Sequence, residues 1–151
     1  MTHVVHPYAH RLGIIRDWKS RWFSHGAEYR SQLLCDVLLR ENLAKRLRGM
    51  YVSSIDMERG RGTFRIIIRT TRPGMVIGRR GEGTQKLHED VAKFLKQKGL
   101  TKTAPALKMD IEEVRSPESN AAIVAHMAVE GIEKRFPFRR VLRQTAEKVM
   151  A

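Results

Sequence analysis

The stretch "RPGMVIGRRGEG", Arg72 to Gly83, holds two adjacent arginines between glycines, after an apolar strand-like run and before a helix-like one. Glycines at 78 and 81 leave the main chain bare, as a close approach requires, and Arg79 and Arg80 imply that the approaching group is negatively charged. With no side chain at Gly78 or Gly81, the backbone can come near a phosphate and offer its N–H groups. The N-terminus of the following helix adds a favourable dipole. Two rival glycine motifs do not fit. The phosphate loop of nucleotide hydrolases needs Lys and Ser/Thr after its second glycine, whereas Thr84 and Gln85 follow Gly83. The dinucleotide fingerprint needs Gly-x-Gly-x-x-Gly, and Gly78, Gly81 and Gly83 run in the opposite spacing.

The rest of the chain agrees with an anionic partner. Its 151 residues carry 29 Lys and Arg against 16 Asp and Glu, a net charge of +13. Such a surplus points to a polyanion, nucleic acid before an anionic membrane surface. With 42% apolar residues the chain can bury a core without covalent staples. The single cysteine, Cys35, cannot form an internal disulfide and fits a reducing compartment. No apolar run approaches the ~18 residues that span a bilayer. The first residues, "MTHVVHPYAHRLG", lack the apolar centre of a secretory signal. The expected location is the cytoplasm or an organelle matrix.

Outward from the glycine stretch the pattern is mixed α and β. Residues 1–25 read as an irregular arm in which Trp18, Trp22 and Phe23 stand among Arg11, Arg16, Lys19 and Arg21. Arginine interleaved with rings suits RNA, where planar groups stack on bases, but the rings could equally anchor the arm to the chain's own core. From Ala27 to Met50 the apolar steps Leu33/Leu34, Val37/Leu38, Leu43/Ala44 and Leu47 predict a helix, with Cys35 as a buried structural thiol. "YVSSIDMERG" and "TFRIIIRT" predict a hairpin turning at "RGRG", 59–62. In its second strand Phe64, Ile66 and Ile68 are expected on a core face, and Arg65 and Arg69 on a positively charged one. Leu87, Val91, Phe94 and Leu95 predict the helix after the loop, ending at Gly99, and "KGLTKTAPA" reads as a connection. "LKMDIEEV" alternates as a strand with one solvated face. Ser116–Pro117–Glu118 predicts a helix start, followed by a buried stripe of Ala121, Ala125, Ala128 and Ile132. After Pro137, Phe138, Leu142, Thr145 and Val149 predict the apolar side of a last helix. Arg139, Arg140 and Arg143 occupy an arc of about 100° on the other side.

A Gly-x-x-Gly loop that joins a one-turn helix to a longer one resembles the loop with which KH domains grip a nucleic-acid backbone, bases lying along an adjacent apolar groove. Beyond the loop, "VHPYAHRLGIIRDWKSRWF", "RPGMVIGRRGE", "IEEVRSPE" and "FRRVLRQTAEKVM" follow one another as in the bacterial-type small-subunit ribosomal protein S-three family, which the chain closely resembles. The resemblance implies an α+β, type II KH domain of order α-β-β-α-α-β, a three-stranded sheet packed by helices, with an irregular N-terminal arm and a C-terminal helical extension. The domain boundaries it suggests are an arm over 1–25, the KH domain over 26–116, a packing helix over 117–136, and over 137–151 the first helix of a second domain otherwise absent. Segment 98–106 is longer than the family leads one to expect. The implied role is structural: binding small-subunit ribosomal RNA in the head of the subunit, beside proteins S-ten and S-fourteen. The basic positions of the last motif line the channel through which messenger RNA enters in that family, and they match Arg139, Arg140 and Arg143 here. The RNA-binding set is thus Gly78, Arg79, Arg80, Gly81, Arg139, Arg140, Arg143, Arg11, Arg16, Lys19 and Arg21.

No catalytic or metal-binding set stands out. His3, His6 and His10 lie close together without Cys or paired carboxylates at a ligand spacing, and packing or RNA contact is their expected role. His88 and His126, on helices, are expected at the surface or its boundary. Glu112 and Glu113, adjacent on a strand, face opposite ways. No cofactor, small-molecule substrate or membrane partner is expected. Three other readings remain: a free-standing KH module such as a ribosome assembly factor, a nucleotide-using enzyme, and a basic membrane-surface protein, the last disfavoured by the lack of a bulky apolar face on the basic helix.

Overall fold

The computed structural model describes residues 4–60, 62–100 and 106–150. Strands β2 (Val52–Gly60) and β3 (Thr63–Thr70) form the expected hairpin, antiparallel with Ile55 opposite Ile68 and Met57 opposite Ile66. Strand β4 (Leu107–Glu113) joins β3 in parallel, Ile66 opposite Met109. A tight turn cannot join parallel neighbours, so the intervening chain must cross over. The one-turn helix α2 (Pro73–Ile77) and the longer α3 (Glu82–Gln97) make that crossover. The α+β expectation holds, with one addition. The arm supplies a short edge strand, β1 (Ser20–Arg21), parallel to β2, so the sheet runs β1-β2-β3-β4.

The core lies on one face of this sheet. Met57, Phe64, Ile66 and Ile68 are fully buried there. Helix α1 (Gly26–Arg46) covers them with Cys35, Leu39 and Leu43, joined by Leu47 just past its end. Leu87, Val91 and Leu95 of α3 complete the cluster. Both helices bury residues at four-residue steps, the spacing that stacks side chains on one face. Burying each such side chain stabilises the fold by about 1.5–3 kcal/mol.

Several expected faces turn out differently. In α1, Leu33, Leu34 and Val37 are 43%, 53% and 42% exposed, because the buried stripe is rotated onto Cys35, Asp36 and Leu39. The helix also stops at Arg46 rather than near Met50. The sheet's outer face is not a positive surface. Arg65 pairs with Asp110 and, at 3.4 Å, with Glu58; Arg69 pairs with Asp56 and Glu112, each at 3.0 Å. Hydrogen bonding to Asp110 raises the Arg65 guanidinium above its ordinary pKa, and Glu112 does the same for Arg69, so both stay charged and engaged. Cross-strand acids thus neutralise what the β3 sequence alone presents as basic.

Helix α4 (Ala121–Glu133) starts later than Ser116–Pro117–Glu118 suggests. Asn120 caps it, its Oδ1 accepting from the N–H groups of Ala122 and Ile123 at 3.1 and 3.4 Å. The same amide donates to Ser53 Oγ at 2.7 Å, tying the helix start to β2. That cap shifts the buried position to Ile123; Ala121 and Ala125 are exposed, and Ile132 is 49% exposed. Helix α5 (Phe138–Met150) follows Pro137. It buries Val141 against Gly131 of α4, and Thr145 and Val149 line the cavity between the two helices with it, while Phe138 and Leu142 face outward, contrary to the sequence expectation. The connection expected over 98–106 falls outside the described residues at 101–105, as does Arg61 of the hairpin turn.

One polar residue organises the arm. Asp36, only 1% exposed, sits on the buried stripe of α1. Its Oδ2 accepts from Trp22 Nε1 at 2.7 Å and Ser20 Oγ at 3.2 Å, and its Oδ1 pairs with Arg59 at 2.5 Å. The Arg59 guanidinium lies 4.0 Å from the centre of the Phe64 ring. Arg40 adds donations to Ser20 Oγ at 3.0 Å and to the Ile55 carbonyl at 3.3 Å. Burying an ion pair is favourable only where its charges find hydrogen-bond partners, as both Asp36 oxygens do here, and removing one member leaves a buried uncompensated charge. Asp36→Ala is therefore expected to lower the unfolding free energy by about 3–5 kcal/mol in urea titration. A drop below about 1 kcal/mol would mean that the pair does not hold the arm.

Candidate nucleic-acid interface

Helix α2 closes when the Gly78 N–H donates to the Gly74 carbonyl at 3.0 Å. That donor belongs to the fold and is not offered to a ligand, which corrects the expectation for this position. Gly78 takes φ 71° and ψ −175°, a conformation essentially confined to glycine. A Cβ at Gly78 would lie 3.1 Å from the Gly83 nitrogen. A Cβ at Gly83 would overlap the Val76 carbonyl oxygen and stand 2.8 Å from that of Ile77. Helices α2 and α3 therefore meet main chain to main chain. The two nucleotide motifs against which the sequence sets Gly83 do not reveal this role; the Val-Ile pair shortly before a glycine at the start of a helix is the available signal.

The corner pushes residues 79–81 outward as a 3-10 turn. Arg80 sits at φ 54°, a left-handed conformation that costs an L-residue about 1–2 kcal/mol. Gly81, at φ 82°, opens onto empty space. Arg79 and Arg80 are exposed and neither pairs with a carboxylate among the described residues. The acid next in sequence, Glu82, faces Lys86 at 3.9 Å. Met75 and Ile77, 51% and 38% exposed, place apolar surface on α2 just before the turn. A bare turn, two free guanidinium groups and the start of a 16-residue helix can together hold a phosphate.

The arm divides into two parts. Trp22 is bound to Asp36 and serves the fold, whereas Trp18 and Phe23 are 53% and 83% exposed. Arg21 is engaged by Asp17 and, at 3.0 Å, by Glu58. Arg11, Arg16 and Lys19 form no ion pair among the described residues. Arg11 instead donates to the Pro7 carbonyl at 2.9 Å, and Arg16 and Lys19 lie 5.8 and 5.5 Å from the centre of the Tyr8 ring. All four basic residues line one cleft with Tyr8 and Trp18.

On α5, Arg139 and Arg140 are exposed, Arg139 lying 5.8 Å from the Phe138 ring centre. Arg143 pairs with Glu147 at 2.9 Å, one turn on. With the Arg143 side chain 83% exposed, such a pair is weak and readily exchanged for a phosphate. Neither the α5 arginines nor the 78–81 turn lines the arm's cleft, so the expected residues form three separate groups. His88 and His126 are at the surface as expected. His3 lies outside the described residues. Among the described residues no cluster of three or more His, Cys, Asp or Glu could hold a metal ion, and no helix is long and apolar enough to cross a membrane.

Comparison with known proteins bears on this geometry. A KH domain matches residues 38–119. Small ribosomal subunit protein uS3 of Xanthomonas euvesicatoria pv. vesicatoria is 40% identical over 150 residues, which cover 99% of this chain and 58% of that protein. The uS3 proteins of Pseudomonas putida and Hydrogenovibrio crunogenus are 39% and 37% identical, with 62% of each covered. The chain thus spans 58% to 62% of the length of these curated relatives. The resemblance drawn from the sequence motifs is borne out.

Because the corner leaves no room at Gly83, Gly83→Ala is expected to destabilise the fold by about 1–3 kcal/mol, measured by chemical unfolding. Gly74→Ala, where a Cβ meets nothing within 4 Å, is the control. Equal stabilities would show that the two helices do not meet through their backbones.

Proposed function

The chain belongs to the KH domain family, and from that premise we propose that it is a non-catalytic RNA-binding component of the small ribosomal subunit. Its ligand is small-subunit ribosomal RNA, and its location the ribosome-containing compartment. One observation carries the reading: Arg79 and Arg80 stand without carboxylate partners among the described residues, on an outward turn at the start of α3. A sugar–phosphate strand is the ligand that such a turn suits, since the guanidinium groups match phosphate in shape and charge and release its condensed counterions. Its bases would lie against Met75 and Ile77.

The likeness to uS3 over 99% of the chain supports the ribosomal setting. In the same reading Arg139, Arg140 and Arg143 face messenger RNA as it enters the subunit, and the protein neighbours are S-ten and S-fourteen. Arginine suits this position because it holds a phosphate with two parallel hydrogen bonds.

The reading is tested by reversing the turn's charge. The chain is expected to sediment with small subunits through a high-salt wash. Arg79→Asp/Arg80→Asp is expected to weaken binding to single-stranded RNA while leaving the unfolding midpoint unchanged. It should also flatten the fall of log affinity with log salt by about 0.7 for each phosphate that is no longer neutralised. An unchanged affinity and salt slope in the variant would contradict the assignment.

A further inference from the structure

Between the arm, the outer face of the sheet and the start of α4 lies a cleft of about 810 Å³. That volume falls within the ~300–1,000 Å³ of clefts that enclose drug-sized molecules, and a nucleotide is of that size. Two features single it out from the other surfaces.

The first is charge. The cleft is lined by two acids, and both are engaged: Asp17 by Arg21, and Asp56 by Arg69 at 3.0 Å. Arg11, Arg16 and Lys19 also line it, with no carboxylate partner among the described residues. The cleft therefore keeps a net positive charge within a concave wall, which favours an anion.

The second is the pair of rings. Tyr8 is fixed by donating its hydroxyl to the Asp17 carbonyl at 2.7 Å, and Arg16 and Lys19 flank its face. Trp18 has its backbone N–H bonded to Asp17 Oδ1 at 2.8 Å, and the edge of its ring lies over Gly13, close enough that an added Cβ there would stand 3.6 Å from it. Yet 53% of Trp18 is exposed, unlike Trp22, whose indole N–H is bonded to Asp36. A half-exposed indole in a cationic cleft suits a flat, uncharged group attached to an anion. Inorganic phosphate would leave the ring unused, and an acidic peptide offers nothing flat to stack.

We propose that this cleft holds one unstacked nucleotide of a single-stranded RNA segment, its base against Trp18 and its phosphate held by Arg16 and Lys19. The proposal rests on the RNA-binding reading above but uses residues apart from the Gly78–Gly81 turn, so the two can fail separately. It also assigns Asp17 a positioning role. That residue holds Tyr8 through its carbonyl, and Arg21 and the Trp18 backbone through its carboxylate.

The test uses the full chain, a pentauridylate, and an abasic oligonucleotide of the same length and charge. Pentauridylate is expected to quench the Trp18 emission, identified by subtracting the spectrum of Trp18→Phe, and the abasic chain to leave it unchanged. Trp18→Ala should weaken pentauridylate binding about tenfold or more, as expected for losing one base stack, while Trp18→Phe keeps most of the affinity. In the Arg79→Asp/Arg80→Asp background the quench should persist. Wild-type affinity in Trp18→Ala, or equal quenching by the abasic chain or by a polyglutamate peptide, overturns the cleft proposal and leaves the turn untouched. Absence of RNA binding by the unaltered chain overturns both.

Discussion

The crossing of α2 and α3 at Gly78 and Gly83 is the constraint from which the rest follows. A parallel β3–β4 pair obliges the chain to cross the sheet, and this crossover does so with two helices meeting backbone to backbone. No side chain fits between the Gly83 main chain and the Val76 and Ile77 carbonyls, so the joint is stiff. Its stiffness throws Arg79 and Arg80 outward and holds Arg80 in a left-handed conformation that an isolated chain would avoid. Gly78 answers to the fold first, its N–H closing α2. The glycine that remains open to a ligand is Gly81.

The ion pairs decide where the charge is displayed. The chain has 29 basic residues against 16 acidic ones, and the arginines of β2 and β3 engage several of the acids. Asp36 takes Arg59, Asp110 takes Arg65, and Asp56 with Glu112 takes Arg69. The described strands of the hairpin are thereby electrically quiet, and the cations without a carboxylate partner among the described residues include those at the turn, in the arm and at the start of α5. Asp36 ties the arm to the sheet, since the carboxylate that takes Arg59 also accepts from Ser20 and Trp22 of the arm.

The crossover fold was legible because its signals are local: strand alternation, the hairpin turn, and four-residue apolar steps in α3. Register between elements was not. Cys35 reads as a buried thiol in the sequence and is one, but nothing in "QLLCDVLL" says that Asp36 and Leu39 turn inward with it rather than Leu33, Leu34 and Val37; an acid on the buried side becomes intelligible only with Arg59 and Trp22 beside it. The same holds for α4 and α5, where the Asn120 cap and the Gly131–Val141 packing select the buried faces. Ser116–Pro117–Glu118 carries good start signals, yet Asn120 wins because its amide also reaches Ser53. At the site, the arginines could be read directly. The reason for Gly83 and the cleft around Trp18 could not, since both arise from segments that only the fold brings together.

The most direct measurement is an amide chemical-shift titration of the isotopically labelled chain with single-stranded RNA. Shifts concentrated at Arg79, Arg80, Gly81 and the first turn of α3, with Leu39 and Leu43 of the core unmoved, are the expected result. Saturable RNA binding that leaves the amides of residues 79–84 unshifted would contradict it.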